Sequence, residues 1–343
     1  MEADVTTAEH HILLEHPSNS VYNTEYLTST NKEWARGYHP IKKIVTHTEV
    51  DNGGITHADF EKVFLPLADD EYLRMGEPAF APNIRKWRFE TEADIEHWFG
   101  TEISNVVLAA WARYPSILQS SHMKPISEVA IAENVDVMYS VRIGNQRFPL
   151  AVGEIKRNII NKDLRYWQRA ADLSVVKGPQ MKLSQELRGY ADKYQCPQVF
   201  CFDGEVLLLL QFRASQPETI KDDDCQVDCW VLPRTSSFCT LRYGLYRLLL
   251  QGWKRCQVMS ALAGAPDGLI VGGLRPESRE FYTGRPIWRV DGLRYASHPG
   301  GYSRSVDAVS GALKWKHEEH AGEIEELGPL WGDGFNHTIS ERG

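Results

Sequence analysis

From about residue 92 to residue 255 the apolar positions switch repeatedly between helical and strand-like spacing. Ile95, Trp98, Phe99, Ile103, Val106, Val107, Ala110 and Trp111 recur at three and four residues, predicting a helix from about Glu92 to Arg113. Thr91 stands before it with Asp94 three residues on, a capping-box arrangement, and Pro115 follows its end. The period then drops to two. Val129–Ile131 reads as a short strand, Val135 to Ile143 alternates, Gly144-Asn145 supplies a turn, and Phe148 to Lys156 runs back as the second arm of a hairpin. A basic stretch from Arg157 to Lys177 carries a short helix near Leu164–Leu173. Pro179 suits the first turn of the next helix, to about Tyr194, with Leu183, Leu187, Tyr190, Ala191 and Tyr194 as its apolar stripe. Pro197–Phe202 and Glu205–Phe212 are strands about an Asp203-Gly204 turn, and Val206 to Leu210 is apolar at every position, as in a strand buried on both faces. Gln226–Leu232 is a further strand and Ser237–Trp253 a strongly apolar helix. Helices interleaved with strands predict an α/β domain, a sheet flanked by helices.

The flanks read differently. Residues 1–54 are polar with little periodicity and are expected to be a mobile arm. The domain spans 55–264 with its core at 92–255, and the short apolar clusters near Phe60, Val63, Phe64, Leu65 and Leu67 pack on its edge. Residues 265–343, rich in Gly, Pro and charge, are expected to be an extended, partly disordered tail. No internal repeat is evident.

Composition narrows the class. Ten Trp and fourteen Tyr argue against a disordered middle. No apolar run is long enough for a membrane span, and Met1-Glu2-Ala3-Asp4 opens without the basic and apolar regions of a secretory signal. The six cysteines are therefore expected to be reduced and buried, in an intracellular protein whose compartment, nucleus or cytoplasm, is not specified. Cys225-x-x-x-Cys229 lacks a partner pair at zinc-site spacing. A net charge of -8 argues against a general nucleic-acid coat, yet residues 141–195 hold eleven Lys/Arg against five Asp/Glu. That segment is either a dock for a polyanion or a set of solvated helix faces.

The candidate chemistry lies on the hairpin. In Gly153-Glu154-Ile155-Lys156, Glu154 and Lys156 share one face of a strand and Ile155 takes the other. A three-residue loop at 144–146 sets Asp136 opposite Glu154 and clusters all three side chains. A two-residue loop without a bulge sends the two carboxylates to different faces. Two nearby carboxylates call for a divalent cation, and hard oxygen ligands suit Mg²⁺ or Mn²⁺. An acidic-x-Lys triplet alone is weak, but Glu154 follows the apolar run Leu150 to Gly153, and a charge pair at the end of a buried strand needs a reason.

An acid on one hairpin strand, Glu-x-Lys on the other, then a helix and a strand pair: this order resembles the core of the PD-(D/E)XK nuclease superfamily, and most nearly fungal proteins with a PD-(D/E)XK nuclease-like domain. The resemblance covers about residues 92–255. It implies a restriction-endonuclease-like core with a mixed central sheet, and a metal-dependent nuclease hydrolysing phosphodiester bonds of DNA or RNA. Asp136 and Glu154 would bind the metal, and Lys156 would complete the catalytic set. The helix motif, of Gln-x-x-x-Tyr type, falls on Gln185, Glu186 and Tyr190, with either Gln185 or Glu186 in the Gln role. Val135 stands where the eponymous Pro would be. Glu102 matches the helix acid that some members add, or is a solvated residue; Arg157, Lys162 and Arg188 are candidate phosphate contacts, or solvated charges. The alternative function is a catalytically inactive nuclease-fold module that binds nucleic acid or protein.

Overall fold

The computed structural model describes residues 7–8, 12–24, 26–28, 30–64, 74–112, 117–123, 134–143, 146–235, 239–264, 269–307 and 312–327. At its centre is a mixed seven-stranded sheet of β1 (Ile44–Thr46), β2 (Leu118–Met123), β3 (Val135–Ile143), β4 (Gln146–Ile155), β5 (Gln198–Phe202), β6 (Val206–Phe212) and β7 (Val227–Pro233). The strand order is β1-β7-β6-β5-β4-β3-β2, with β4/β5 and β7/β1 parallel and the other pairs antiparallel. The expected strand at Val129–Ile131 lies outside the described residues, as do Leu65 and Leu67.

Helices cover both faces. On one lie α1 (Glu92–Trp98), α2 (Asn105–Leu108) and α6 (Leu241–Gly264). On the other lie α3 (Ile159–Lys162), α4 (Arg165–Gln168) and α5 (Pro179–Lys193). The alternation in β6 shows why its sequence is apolar throughout. Leu207 and Leu209 enter the core under α1 and α6, while Leu208 and Leu210 enter the core under α5. Each such side chain contributes about 1.5–3 kcal/mol on burial. At α1 the capping box forms as its residues predict: Asp94 N donates to Thr91 Oγ1 at 3.2 Å and Thr91 N to Asp94 Oδ2 at 2.7 Å. Between Glu92 and Trp111 the expected helix is not α-helical throughout, and its expected end at Arg113 lies outside the described residues. A π-helical turn, Phe99–Ser104, separates α1 from α2, and a short 3₁₀ turn ends at Trp111. The parallel crossover from β4 to β5 holds α3, α4 and α5, so the basic stretch carries two short helices where one is expected.

One contact locks the centre of the sheet. The Phe200 ring on β5 lies over Gly153 on β4, where a Cβ would sit 2.0 Å from Phe200 Cζ. Gly153→Ala is expected to cost about 1–3 kcal/mol by overpacking and to lower the melting temperature. An unchanged melting curve would contradict this packing.

Both flanks differ from expectation. Residues 44–46, assigned to a mobile arm, form the edge strand β1, and Ile41 and Ile44 are buried in the α5-side core. The bonds that hold this segment reach far along the chain, as from Thr46 Oγ1 to Trp167 O at 2.7 Å, and local periodicity does not register them. Within residues 276–327, assigned to an extended tail, stand two three-stranded antiparallel sheets. These are β8 (Pro276–Arg279), β9 (Pro286–Val290) and β10 (Leu293–Tyr295), then β11 (Ser303–Val306), β12 (Leu313–Lys316) and β13 (Glu323–Leu327). Val271, Trp288 and Trp315 form their core, and buried Glu326 pairs with Arg279 at 2.6 Å and Arg304 at 2.8 Å. Among the described residues no helix is long and apolar enough to cross a membrane. All six cysteines are buried, and none is in a disulfide among the described residues.

Candidate functional site

The hairpin register decides which side chains meet. Ile143 pairs with Gln146, the two-residue alternative, but β4 then bulges: Pro149 faces Ser140, whereas Ala151 faces Tyr139. Leu150 is the extra residue. Pro149 has no N–H to leave unpaired there, and α6 packs on the bulge so closely that a Cβ on Gly252 would lie 2.2 Å from Leu150 O. The bulge restores the offset that a three-residue loop would have produced. Gly153 faces Val137, and the next position in that register sets Glu154 across from Asp136. Here the ladder yields to a side chain: Ile155 N donates to Asp136 Oδ2 at 2.7 Å.

Beyond the bulge, Met138 and Val152 belong to the α5-side core. Asp136, Glu154 and Lys156, at even spacing from these, project toward α5. Glu186 and Tyr190, one helical turn apart on α5, meet them. Lys156 Nζ donates to Glu154 Oε1 and lies 3.2 Å from Glu186 Oε1. The Tyr190 hydroxyl donates to Glu186 Oε1 at 3.3 Å. Lys32, from the N-terminal segment, places Nζ 3.7 Å from Glu154 and 3.8 Å from Glu186. Glu154 Oε2 and Glu186 Oε2 are both buried and have no hydrogen-bond partner among the described residues.

The electrostatics follow from this crowding. Burial, and then the Glu154 charge, push the Asp136 carboxyl up to about 7. Burial and the same Glu154 charge push Glu186 up to about 7. Burial works to lower Lys156, but Glu154 and Glu186 outweigh it and hold the ammonium above its ordinary range. Asp136 therefore binds its proton more tightly when folded. Its contribution to stability is complete below the usual carboxyl range and is lost as pH rises through about 7. Asp136→Asn is thus expected to gain stability relative to the natural protein between about pH 4 and 7, in chelator. A melting-temperature difference flat across that range would contradict it.

At the rim, His122 stands between Glu96 on α1 (Nε2 to Oε2, 3.5 Å) and Asp136 (Nδ1 to Oδ1, 3.8 Å). Its φ of 52° lies in the left-handed region. Among the described residues no three His, Cys, Asp or Glu side chains stand in position to hold a metal ion as they are placed. Comparisons with protein-family models, with curated proteins and with solved structures return no match.

Several expected residues lie elsewhere. Gln185, a helical step of about 100° from Glu186, turns away and donates Nε2 to Tyr38 O at 2.8 Å, so Glu186 is the residue facing the site. Glu102 is buried in the π turn, accepting from Asn19 at 2.6 Å and from Trp87 Nε1 at 2.9 Å; the first-helix acid near Asp136 is Glu96. Arg157 is buried and donates to Glu90 O, Phe89 O and Thr24 Oγ1, tying the segments at Thr24 and at Phe89-Glu90 to the end of β4. Arg188 is buried and donates to Asp222 O. Neither can reach a phosphate in solvent, because the fold uses their charge and stems internally. Lys162 is exposed at the end of α3 and remains available. Sequence reasoning missed Lys32, His122 and Glu96. The first sits in a segment without periodicity, and the other two are polar positions on elements whose packing alone brings them to Asp136.

Proposed function

We propose that the chain is a metal-dependent phosphodiesterase acting on nucleic acid, with a core of the PD-(D/E)XK nuclease type. The observation that carries this is the convergence of Glu154, Glu186 and Lys156 beneath α5, with Asp136 bonded to the N–H of Ile155 between Glu154 and Lys156. Three acids gathered about the buried Lys156, with Lys32 at their solvent side, have no evident role in stability, since desolvated charges cost more than the apolar contacts they displace. The donor set is hard oxygen, and two of its oxygens, Glu154 Oε2 and Glu186 Oε2, are buried without partners among the described residues, which fits Mg²⁺ or Mn²⁺. Asp136 and Glu154 would hold the ion, with Glu186 beside them. Such an ion supplies charge for the phosphoryl oxygens and a more acidic bound water. Lys156, kept protonated by its neighbours, can donate to a phosphoryl oxygen or orient a water. Tyr190 fixes Glu186, whose carboxylate beside the ion can accept a proton.

A second reading has its own support. Lys156 bonds directly to Glu154 and so already neutralises a carboxylate that a cation requires, which favours a binding module without catalysis. Incubation of purified protein with labelled single- and double-stranded DNA and RNA, with Mn²⁺ or chelator, separates the two. The proposal expects cleavage that depends on Mn²⁺ and disappears in Asp136→Ala. Oligonucleotide binding with no Mn²⁺-dependent cleavage would replace it with the binding module.

A further inference from the structure

We propose that Lys32 is a positioning residue for the phosphate of the substrate, carried to the site by the N-terminal segment; the inference rests on the phosphodiesterase reading. The segment is clamped on both sides of this residue. Thr28 N donates to Arg157 O at 3.2 Å, and Arg157 N donates to Thr28 Oγ1 at 2.8 Å. Thr30 Oγ1 donates to Pro179 O at 3.4 Å. Past Lys32, the Trp34 ring packs 5.1 Å from the Tyr190 ring and so close to Gly189 that a Cβ there would lie 2.3 Å from it. The backbone of Lys32 is therefore held, and only its flexible stem is free to move.

The two ammonium groups of the site differ in what they can do. The Lys156 side chain is 4% exposed and bonds to a carboxylate. The Lys32 side chain is 40% exposed, while the two carboxylates it faces are 1% exposed. Its contacts at 3.7 and 3.8 Å exceed hydrogen-bond length, so it gives up little on leaving them. Lys32 thus offers a positive charge at the solvent side of a buried acidic cluster, where a phosphodiester would otherwise meet carboxylates. A charge so placed acts with opposite sign on two ligands. It repels a divalent cation held by Asp136 and Glu154 beside Glu186, and it attracts an anion arriving from solvent. A residue that merely held the segment in place would shift both affinities in the same direction, or neither.

The test uses the full chain, with Lys32→Met and the charge-preserving Lys32→Arg, in two measurements. Mn²⁺ binding is followed by calorimetry without nucleic acid. Binding of a fluorescent oligonucleotide is followed in chelator, where cleavage cannot interfere. Lys32→Met is expected to bind Mn²⁺ about tenfold more tightly and the oligonucleotide about tenfold more weakly, the size expected of one partly screened charge a few ångströms away. Lys32→Arg is expected to stay near the natural protein in both. Unchanged constants in Lys32→Met, two constants that weaken together, or no oligonucleotide binding by the natural protein would each overturn the inference. Absence of Mn²⁺ uptake by the natural protein would instead overturn the metal reading, and the oligonucleotide measurement would then decide the role of Lys32 alone.

Discussion

Glu154→Ala is expected to lower Mn²⁺-supported cleavage by about a thousandfold or more while the protein stays folded. Charge stabilisation by a bound ion is worth several kcal/mol, and about 4 kcal/mol corresponds to a thousandfold in rate. Glu154 is the acid on which the other charges converge. It bonds Lys156, lies 3.7 Å from Lys32, and raises the proton affinity of both Asp136 and Glu186. Folding should survive because Lys156 keeps a carboxylate partner in Glu186, at 3.2 Å. Glu154→Gln preserves the shape and removes only the charge, so it should lose cleavage to a similar degree. Cleavage by either variant at the rate of the natural protein, with a normal melting curve, would contradict the assignment.

Lys156→Met carries the second large effect, and it falls on stability. The substitution leaves Glu154 and Glu186 facing each other in the protein interior with the half-exposed Lys32 as the one cation near them among the described residues. Removing one partner of a buried ion pair costs about 3–5 kcal/mol because the remaining charge is left unpaired. The loss should be largest at pH 8. It should shrink toward pH 5, where Glu186, pushed up to about 7 in the natural protein, can take up a proton and relieve the repulsion. Mn²⁺ should recover part of the loss if the carboxylates bind it, since a ligand of the folded state stabilises that state. Denaturant titration at both pH values measures this. A variant as stable as the natural protein at pH 8 would show that Lys156 does not balance these acids.

Legibility in the sequence followed the range of the interactions. The helix–sheet alternation could be read because each element presents an apolar face to a core, as in the stripe Leu183, Leu187 and Tyr190 or the doubly buried run in β6. The triad Asp136, Glu154 and Lys156 could be read because its members lie on one hairpin, where period and register are local rules. The bulge at Leu150 was not readable. The two-residue turn and the bulge compensate one another, and only the contact with α6, more than a hundred residues away, reveals the need for it. Arg157 and Arg188 look like surface charges in sequence, since nothing local signals that Glu90, Thr24 and Asp222 supply their acceptors. The small C-terminal sheets show alternation only in fragments such as Leu313 to Lys316, too short to stand out from a polar tail.

Diffraction from crystals soaked in Mn²⁺, recorded at a wavelength where manganese scatters anomalously, bears most directly on whether these acids form a cation site. One strong peak is expected, bounded by the carboxylates of Asp136 and Glu154, with the Lys156 ammonium turned away from Glu154 Oε1. A map with no peak there, and with Lys156 still bonded to Glu154, would contradict that site.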